Sequence, residues 1–436
     1  MKIYKKGNSR LINAWAFYDW ANSVYPLVIS TAIFPIYYST LTNSFAEKNG
    51  EILFLGIQWN PTVLYDYTLS ISFLIVALIS PLLSGIADYV GNKLKFLKIF
   101  CFIGSFSVMG FFFFSDESTL GLGLFLSFMA SIGFWGSLVF YNAYLPEISF
   151  PEQHDKVSAK GFIFGYSGSL ILLIFCLFLI QNPNLFGISD PTLPSRISFL
   201  LVGIWWISFA QVTFNALPKN SDNNNYQINY IFKGFTELKN VFKSLPKYPQ
   251  LKFFLISFFF LSVGVQTIIL MAGIFGKNEL GLPTDKLIMT IILVQVVAIL
   301  GAYLFSRLSK KIGNILSLKI TLFIWGTVCF IAFALDKNLP GVETYFYIMG
   351  VILGFVLGAT QTLTRSTYSK LLPLTQNNAT YFSFYDVTEK VAIVLGMFVF
   401  GLLISITGSM QYSVLAMALF FLFSFLLFFK LKNNIG

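Results

Sequence analysis

Asp19 lies inside the stretch NAWAFYDWANSVYPLVISTAIFPIYY, which runs from Asn13 to Tyr38, and no further charge follows it until Glu47. A carboxylate within a run long enough to cross a bilayer is costly, so an acid in that position reads as functional. A second charged group occurs far along the chain, where Asp386, Glu389 and Lys390 share another apolar run. The spacings of three and four put all three on one side of a helix, and Asp386 can pair with Lys390 one turn later. Lys390 falls at a depth comparable with Asp19, and Asp386 lies nearer the entrance. Asp19, Glu389 and Lys390 together offer opposite charges for the ammonium and carboxylate of a zwitterion. Two other readings stay open: one acid carries a proton, or the charges are a permanent ion pair that locks helices together.

Uncharged groups extend this set. Asn22 and Ser23 lie three and four residues after Asp19 and can share its face. Tyr18, Tyr25, Tyr141, Asn142, Tyr144, Tyr166 and Tyr385 can supply hydrogen bonds and aromatic walls to a small solute. Among 21 tyrosines, packing or a place in the interfacial belt explains any single one equally well. Gln266 and Gln361 are polar residues inside apolar runs, cavity liners or interhelical hydrogen-bonding groups. Arg365 reads first as an interfacial anchor or gate and second as a substrate ligand. The single histidine, His154, is placed in a polar loop, which excludes His-based metal or nucleophile chemistry. Cys101, Cys176 and Cys329 lack metal-ligand spacing and read as free, packed thiols. No GxxxxGK[ST] loop is present, so ATP does not drive the chain. No enzyme activity, metal or cofactor is expected.

These residues need membrane helices to hold them. The 436 residues are 56% hydrophobic and only 11% charged, outside the range of soluble domains. A helix crosses a ~30 Å hydrocarbon layer with ~20 residues. Apolar runs predict helices at 11–40, 66–87, 96–114, 120–145, 161–181 and 196–216, then at 251–275, 286–306, 315–335, 341–368, 380–407 and 410–431. The fold class is therefore an all-α membrane protein, with twelve transmembrane helices in two six-helix bundles, residues 1–216 and 251–436. A cytoplasmic linker, 217–250, contains the polar run Ser221–Asn225. It also carries Ile231, Phe235, Leu238, Phe242 and Leu245 at helical spacing, which predicts a short amphipathic helix on the membrane surface or a plain tether.

The net charge of +10 is distributed by sidedness. With the N-terminus inside, all but six of the 29 Lys and Arg fall on the cytoplasmic side. The exceptions are Lys48, Arg196, Lys277, Lys286 and Lys337 outside and Lys390 within a helix. This is the positive-inside pattern, with both termini cytoplasmic, and nucleic acid is not needed to explain it. The apolar run behind the basic start MKIYKKGNSR is too long for a signal peptide, so it is the first helix.

An internal repeat joins the halves. SGIADYVGNK, from Ser84 to Lys93, aligns with SRLSKKIGN, from Ser306 to Asn314, at an offset of 222 residues, and YNAYLP at Tyr141 echoes YSKLLP at Tyr368. Repeated halves of this kind suggest a transporter with its site between them. Through Asp88, Gly91 and Lys93 the first loop resembles the signature loop of the major facilitator superfamily, although Ser84 and Tyr89 depart from its pattern and Lys310 replaces the acid in the second copy. FYDWANSVYP at Phe17–Pro26, the run from Tyr141 to Gly168, and FYDVTEKVAIVLG at Phe384–Gly396 narrow the resemblance. They are similar to the autophagy-related vacuolar amino-acid effluxers and their bacterial relatives, and the resemblance covers essentially the whole chain.

The resemblance implies two bundles around a central cavity that rock between inward-open and outward-open forms, exporting small amino acids in the fungal members. It also implies that Asp88 sits near the start of helix eleven and latches the halves on the cytoplasmic side. A simple cap is the alternative. Gly91, Lys93 and Arg365 join Asp88 as gating residues. The expectation is a monomeric secondary transporter among membrane lipids, in the inner membrane in the bacterial case, moving a small polar or zwitterionic solute with protons as the expected driving ion. A lipid or peptide exporter of the same fold, and a non-transporting receptor or assembly partner, remain as alternatives.

Overall fold

In hydrocarbon every backbone N–H and C=O must find its partner within the chain, so long apolar runs become helices. The computed structural model describes residues 5–47, 50–218 and 230–433. Among them are twelve helical spans long and apolar enough to cross a membrane. These are α1 (Ser9–Phe45), α2 (Pro61–Val90), α3 (Lys93–Phe113), α4 (Glu117–Ile148), α5 (Pro151–Gln181) and α6 (Leu193–Ala216) in the first bundle. The second bundle comprises α7 (Pro249–Asn278), α8 (Thr284–Ile312), α9 (Asn314–Ala334), α10 (Val342–Leu371), α11 (Asn378–Thr407) and α12 (Met410–Phe428). The helix pairings of the first bundle recur in the second: α1 with α5 and α6 is matched by α7 with α11 and α12. Across the molecule α2 packs on α11, and α5 packs on α8 and α10.

Two local features depart from the sequence reading. The first helix is not uniform: a regular helix over Ser9–Asn22 gives way to wider, π-type turns over Tyr25–Ile33 and then to a regular helix over Phe34–Phe45. Pro26 has no N–H to donate and so disturbs the ladder there; its carbonyl accepts from Thr31 Oγ1 at 2.8 Å. After α1 the chain forms a hairpin, β1 (Ile52–Phe54) against β2 (Ile57–Trp59), with Ile52 opposite Trp59. Its two-residue turn puts both Leu55 (φ 51°) and Gly56 (φ 78°) in the left-handed region, as the twist of an antiparallel hairpin requires.

The start of α5 corrects a further reading. Residues 151–160, expected as polar loop, are helical, and His154 is buried at 2% exposure with Nε2 3.1 Å from the Ser149 carbonyl. Each bundle has an aromatic core, around Trp15, Tyr18, Phe34 and Trp206 in the first and Phe254, Trp325, Tyr368 and Phe421 in the second. Side chains such as Leu78, Phe323, Phe398 and Ile406 point outward, as lipid-facing positions should. Close approach uses small residues: a methyl group placed on Gly354 would stand 2.9 Å from the Val294 Cα, so α8 and α10 meet backbone to backbone.

Between α6 and α7 lies a connecting helix, Tyr230–Ser244; the run Ser221–Asn225 lies outside the described residues. This helix does more than float on a surface. A methyl group on Gly85 of α2 would stand 3.0 Å from the Gly234 carbonyl carbon, Glu237 accepts from Asn377 Nδ2 at 3.1 Å, and Ser244 Oγ lies 3.0 Å from the Tyr381 hydroxyl. It therefore spans from α2 to α11, one helix from each bundle.

Candidate functional site

The intramembrane acid Asp19 finds its partner 346 residues away. Its Oδ2 accepts from Arg365 Nη1 at 3.1 Å and from the Tyr141 hydroxyl at 2.8 Å. Arg365 also donates from Nε to Ser158 Oγ (3.0 Å), from Nη2 to the Ser158 carbonyl (2.8 Å) and from Nη1 to Asn142 Oδ1 (3.4 Å). Its guanidinium lies 4.0 Å from the Phe162 ring centre and 5.0 Å from that of Trp15. Only guanidinium offers five donors in a rigid plane that can serve a carboxylate, a hydroxyl and a carbonyl at once while stacking on aromatic rings. Gly161 leaves room for this arrangement, since a methyl group there would meet the Asp19 carboxylate, Arg365 Nη2 (2.7 Å) and the Tyr141 hydroxyl (3.1 Å). Arg365 is 3% exposed, which corrects its reading as an interfacial anchor: the helix end is near, but α5 and α1 cover the side chain.

The second cluster lies along α11. Lys390 Nζ is 2.9 Å from Asp386 Oδ1 and 3.4 Å from Glu389 Oε2, and it stands 3.7 Å above the Trp135 ring of α4. Glu389 also accepts from Gln266 Nε2 of α7 at 2.8 Å. Asp386 Oδ2 is buried without a hydrogen-bond partner among the described residues. Asp19 and Lys390 are thus not partners. Each belongs to its own ion pair, and the zwitterion-like offering of Asp19 with Lys390 becomes two separate charged groups. The first is balanced by one acid and one base, whereas the second has two acids around one base.

Two more polar layers join the bundles at the end that carries both termini. Gly91 (φ 75°) ends α2 in the left-handed turn that glycine favours. Just before it, Asp88 accepts from the backbone N–H groups of Thr380 (2.7 Å) and Ala379 (3.3 Å) and from Thr380 Oγ1 (2.8 Å). These groups form the first turn of α11, where free N–H groups and the helix dipole favour an anion. Lys93 pairs with Asp88 at 3.3 Å and with Glu147, and Glu147 accepts from Asn378 Nδ2 at 3.0 Å. The repeat-related contact between α5 and the end of α8 uses the opposite placement of charge. There Asp155, at the start of α5, accepts from Ser309 Oγ (2.9 Å), Asn314 Nδ2 (2.7 Å) and Lys370 Nζ (2.8 Å). The second half lacks an acid in its loop, and the helix supplies it.

The remaining sequence-selected residues divide. Gln361 accepts from the Tyr166 hydroxyl across the bundles. Tyr385 stacks on Phe258 at 4.1 Å and donates to Thr364 Oγ1 at 3.1 Å. Ser23 packs its hydroxyl against Gly165 of α5. Tyr18 is corrected: it is wholly buried among Tyr141 and Phe214 of its own bundle. Asn22 shares the face of Tyr18 and Tyr25, and its buried carboxamide has no partner among the described residues. Sequence reasoning missed Ser158, Asp155, Glu147, Asn314 and Lys370. Glu147 stands beside the repeated YNAYLP motif, Lys370 inside its partner YSKLLP and Asn314 inside the aligned loop, so the repeat itself held a signal for these three. All three cysteines are buried thiols, and no group of three or more His, Cys, Asp or Glu suited to a metal occurs among the described residues.

Comparison with known proteins agrees with this architecture. The MFS-type transporter YxiO of Bacillus subtilis is 30% identical, over 94% of this chain and 92% of its own. Autophagy-related protein 22 of Vanderwaltozyma polyspora is 27% identical, over 94% and 88%. Among solved structures, the major facilitator transporter FucP in its outward conformation aligns over 98% of both chains with a TM-score of 0.68 at 13% identity. The proton:xylose symporter XylE aligns over 97% and 94% with a TM-score of 0.64 at 15% identity. The sequence matches the family described as "Vacuole effluxer Atg22 like" from residue 7 to 436. With its twelve spans and two repeat-related bundles, the chain belongs to that family of transporters, within the major facilitator superfamily.

Proposed function

We propose that this secondary transporter moves a small zwitterionic solute, an amino acid, by alternating access, with protons as the coupling ion. The observation that carries the proposal is the buried Asp19–Arg365 pair, which joins α1 of one bundle to α10 of the other. A pair of this kind must separate when the bundles rock, and a solute with one carboxylate and one ammonium can replace each partner's lost contact. Hydrogen bonds and ion pairs between the bundles run from the Tyr166–Gln361 contact and this pair down to the end that carries the termini. These contacts hold the conformer closed on the termini side, which we take to be the cytoplasm from the distribution of Lys and Arg.

The α11 cluster supports proton coupling. Asp386 and Glu389 share one ammonium, and Glu389, partly exposed in the seam, is within reach of water. Two acids around one base leave a net negative charge in a low-dielectric setting, which a transported cation as small as a proton can offset. The family's description as an effluxer favours export over import, and the chain would act as a monomer. A thermal-stability screen of the purified protein against amino acids, dipeptides and simple ions tests the substrate class, because a ligand that binds the folded state raises its melting temperature. A zwitterionic amino acid should raise it in the parent and not in Asp19→Asn. A response confined to dipeptides or inorganic ions would overturn the assignment.

A further inference from the structure

On the outer wall of the seam, a groove of about 420 Å³ is lined by Pro81 of α2, Phe384 and Val387 of α11, and Phe235, Leu238, Lys239 and Phe242 of the connecting helix. All but one of these side chains are apolar. Phe235 and Phe242 are 58% and 64% exposed, which is unfavourable for aromatic rings unless something apolar covers them.

Depth decides what that cover is. At ~1.5 Å per residue, α2 and α11 are each ~45 Å long, so they overrun a ~30 Å hydrocarbon layer by ~7 Å at each end. Pro81 lies nine residues before the end of α2, and Phe384 and Val387 six and nine residues into α11. Those positions fall ~9–14 Å from the helix ends, just inside the hydrocarbon of the leaflet on the termini side. The groove continues along the same two helices onto exposed Leu78, Val391 and Phe398, so it opens sideways into lipid. Its polar rim is cationic: Lys239 lines it and Lys243 follows one turn later, and neither forms an ion pair with a described residue. Glu237, the acid on this helix, turns towards α11, where it accepts from Asn377 Nδ2.

We infer that this groove is a binding site for an anionic phospholipid. An acyl chain fills the space between Pro81, Phe384 and Phe242, and the phosphate of the headgroup lies on Lys239. The lipid touches one helix from each bundle and the strap between them, at the closed end of the seam. Its occupancy therefore favours the conformer that is closed on the termini side, because opening would pull α2 and α11 apart and dismantle the groove.

Native mass spectrometry of the purified full chain, delipidated and then supplied with phosphatidylglycerol or phosphatidylcholine of identical acyl chains, tests this site. The expected result is one phosphatidylglycerol retained per chain, at an occupancy at least tenfold above that of phosphatidylcholine. Lys239→Glu, an exposed position, should abolish that preference, and Val387→Trp, which fills the groove, should lower the occupancy of both lipids. Equal retention of the two lipids by the parent would overturn the inference. So would a preference that survives Lys239→Glu, an occupancy unchanged by Val387→Trp, or a second protein chain in place of lipid.

Discussion

Asp19→Asn keeps the size of the side chain and an oxygen acceptor for Tyr141 but removes the charge that faces Arg365. The guanidinium would keep Ser158 and Asn142 as neutral partners. Stripping one charge from a buried ion pair costs roughly 3–5 kcal/mol, because the survivor is left uncompensated away from water. When the bundles separate on the termini side, Arg365 meets water, so most of that cost falls on the closed conformer. Taking the lower bound of about 3 kcal/mol, at 1.4 kcal/mol per decade, the open population rises roughly 100-fold.

A cysteine at Thr362 reads this out. Thr362 is fully buried on α10, and its carbonyl accepts from Ser158 Oγ of α5 at 2.9 Å, so it sits on the seam that opens. The native cysteines are all 0% exposed and add little background. In membranes, Thr362→Cys should react with a water-soluble thiol reagent about 100 times faster when Asp19→Asn is added. Adding Arg365→Gln as well should bring the rate back towards the parent, because removing both charges leaves neither uncompensated. A labelling rate within twofold of the parent in Asp19→Asn, or strict additivity in the double variant, would refute the reasoning.

Gly161→Ala should imitate Asp19→Asn in the same labelling assay without altering any charge, since its methyl group lands on the Asp19–Arg365 contact; unchanged labelling would show that the network has slack. Asp88→Asn keeps hydrogen-bond acceptors at the start of α11 but loses their charge, an effect of about 1 kcal/mol, so labelling should rise several-fold rather than 100-fold. Lys390→Met leaves Asp386 and Glu389 without their cation and should lower the thermal midpoint in detergent by several degrees. The triple variant Asp386→Asn, Glu389→Gln, Lys390→Met should recover part of that loss, and failure to recover any would remove charge imbalance as the cause.

The sequence showed most of the architecture because the bilayer imposes it: apolar run lengths mark the spans. Asp19 and the α11 cluster stood out because a charge is conspicuous in hydrocarbon. Arg365 was misplaced for the converse reason. Six residues from a helix end, a cation looks ordinary, and nothing local reveals that α1 and α5 fold over it. Asp155 was hidden in the same way, at a helix start where charge is expected, whereas Glu147 and Lys370 stood beside or inside the repeated motif. The π-type turns of α1 and the hairpin after it were not legible from apolar run lengths, which ignore backbone detail. Tyr18 was misjudged because it neighbours Asp19 in sequence, yet a step of one residue turns a helix by ~100° and carried it into the core.

The central claim is tested most directly by solute flux. In liposomes containing the purified protein, a panel of labelled zwitterionic amino acids should include at least one that is transported, faster with a pH gradient than without, and not transported by Asp19→Asn. An absence of flux for every amino acid, with or without the gradient, would contradict the account.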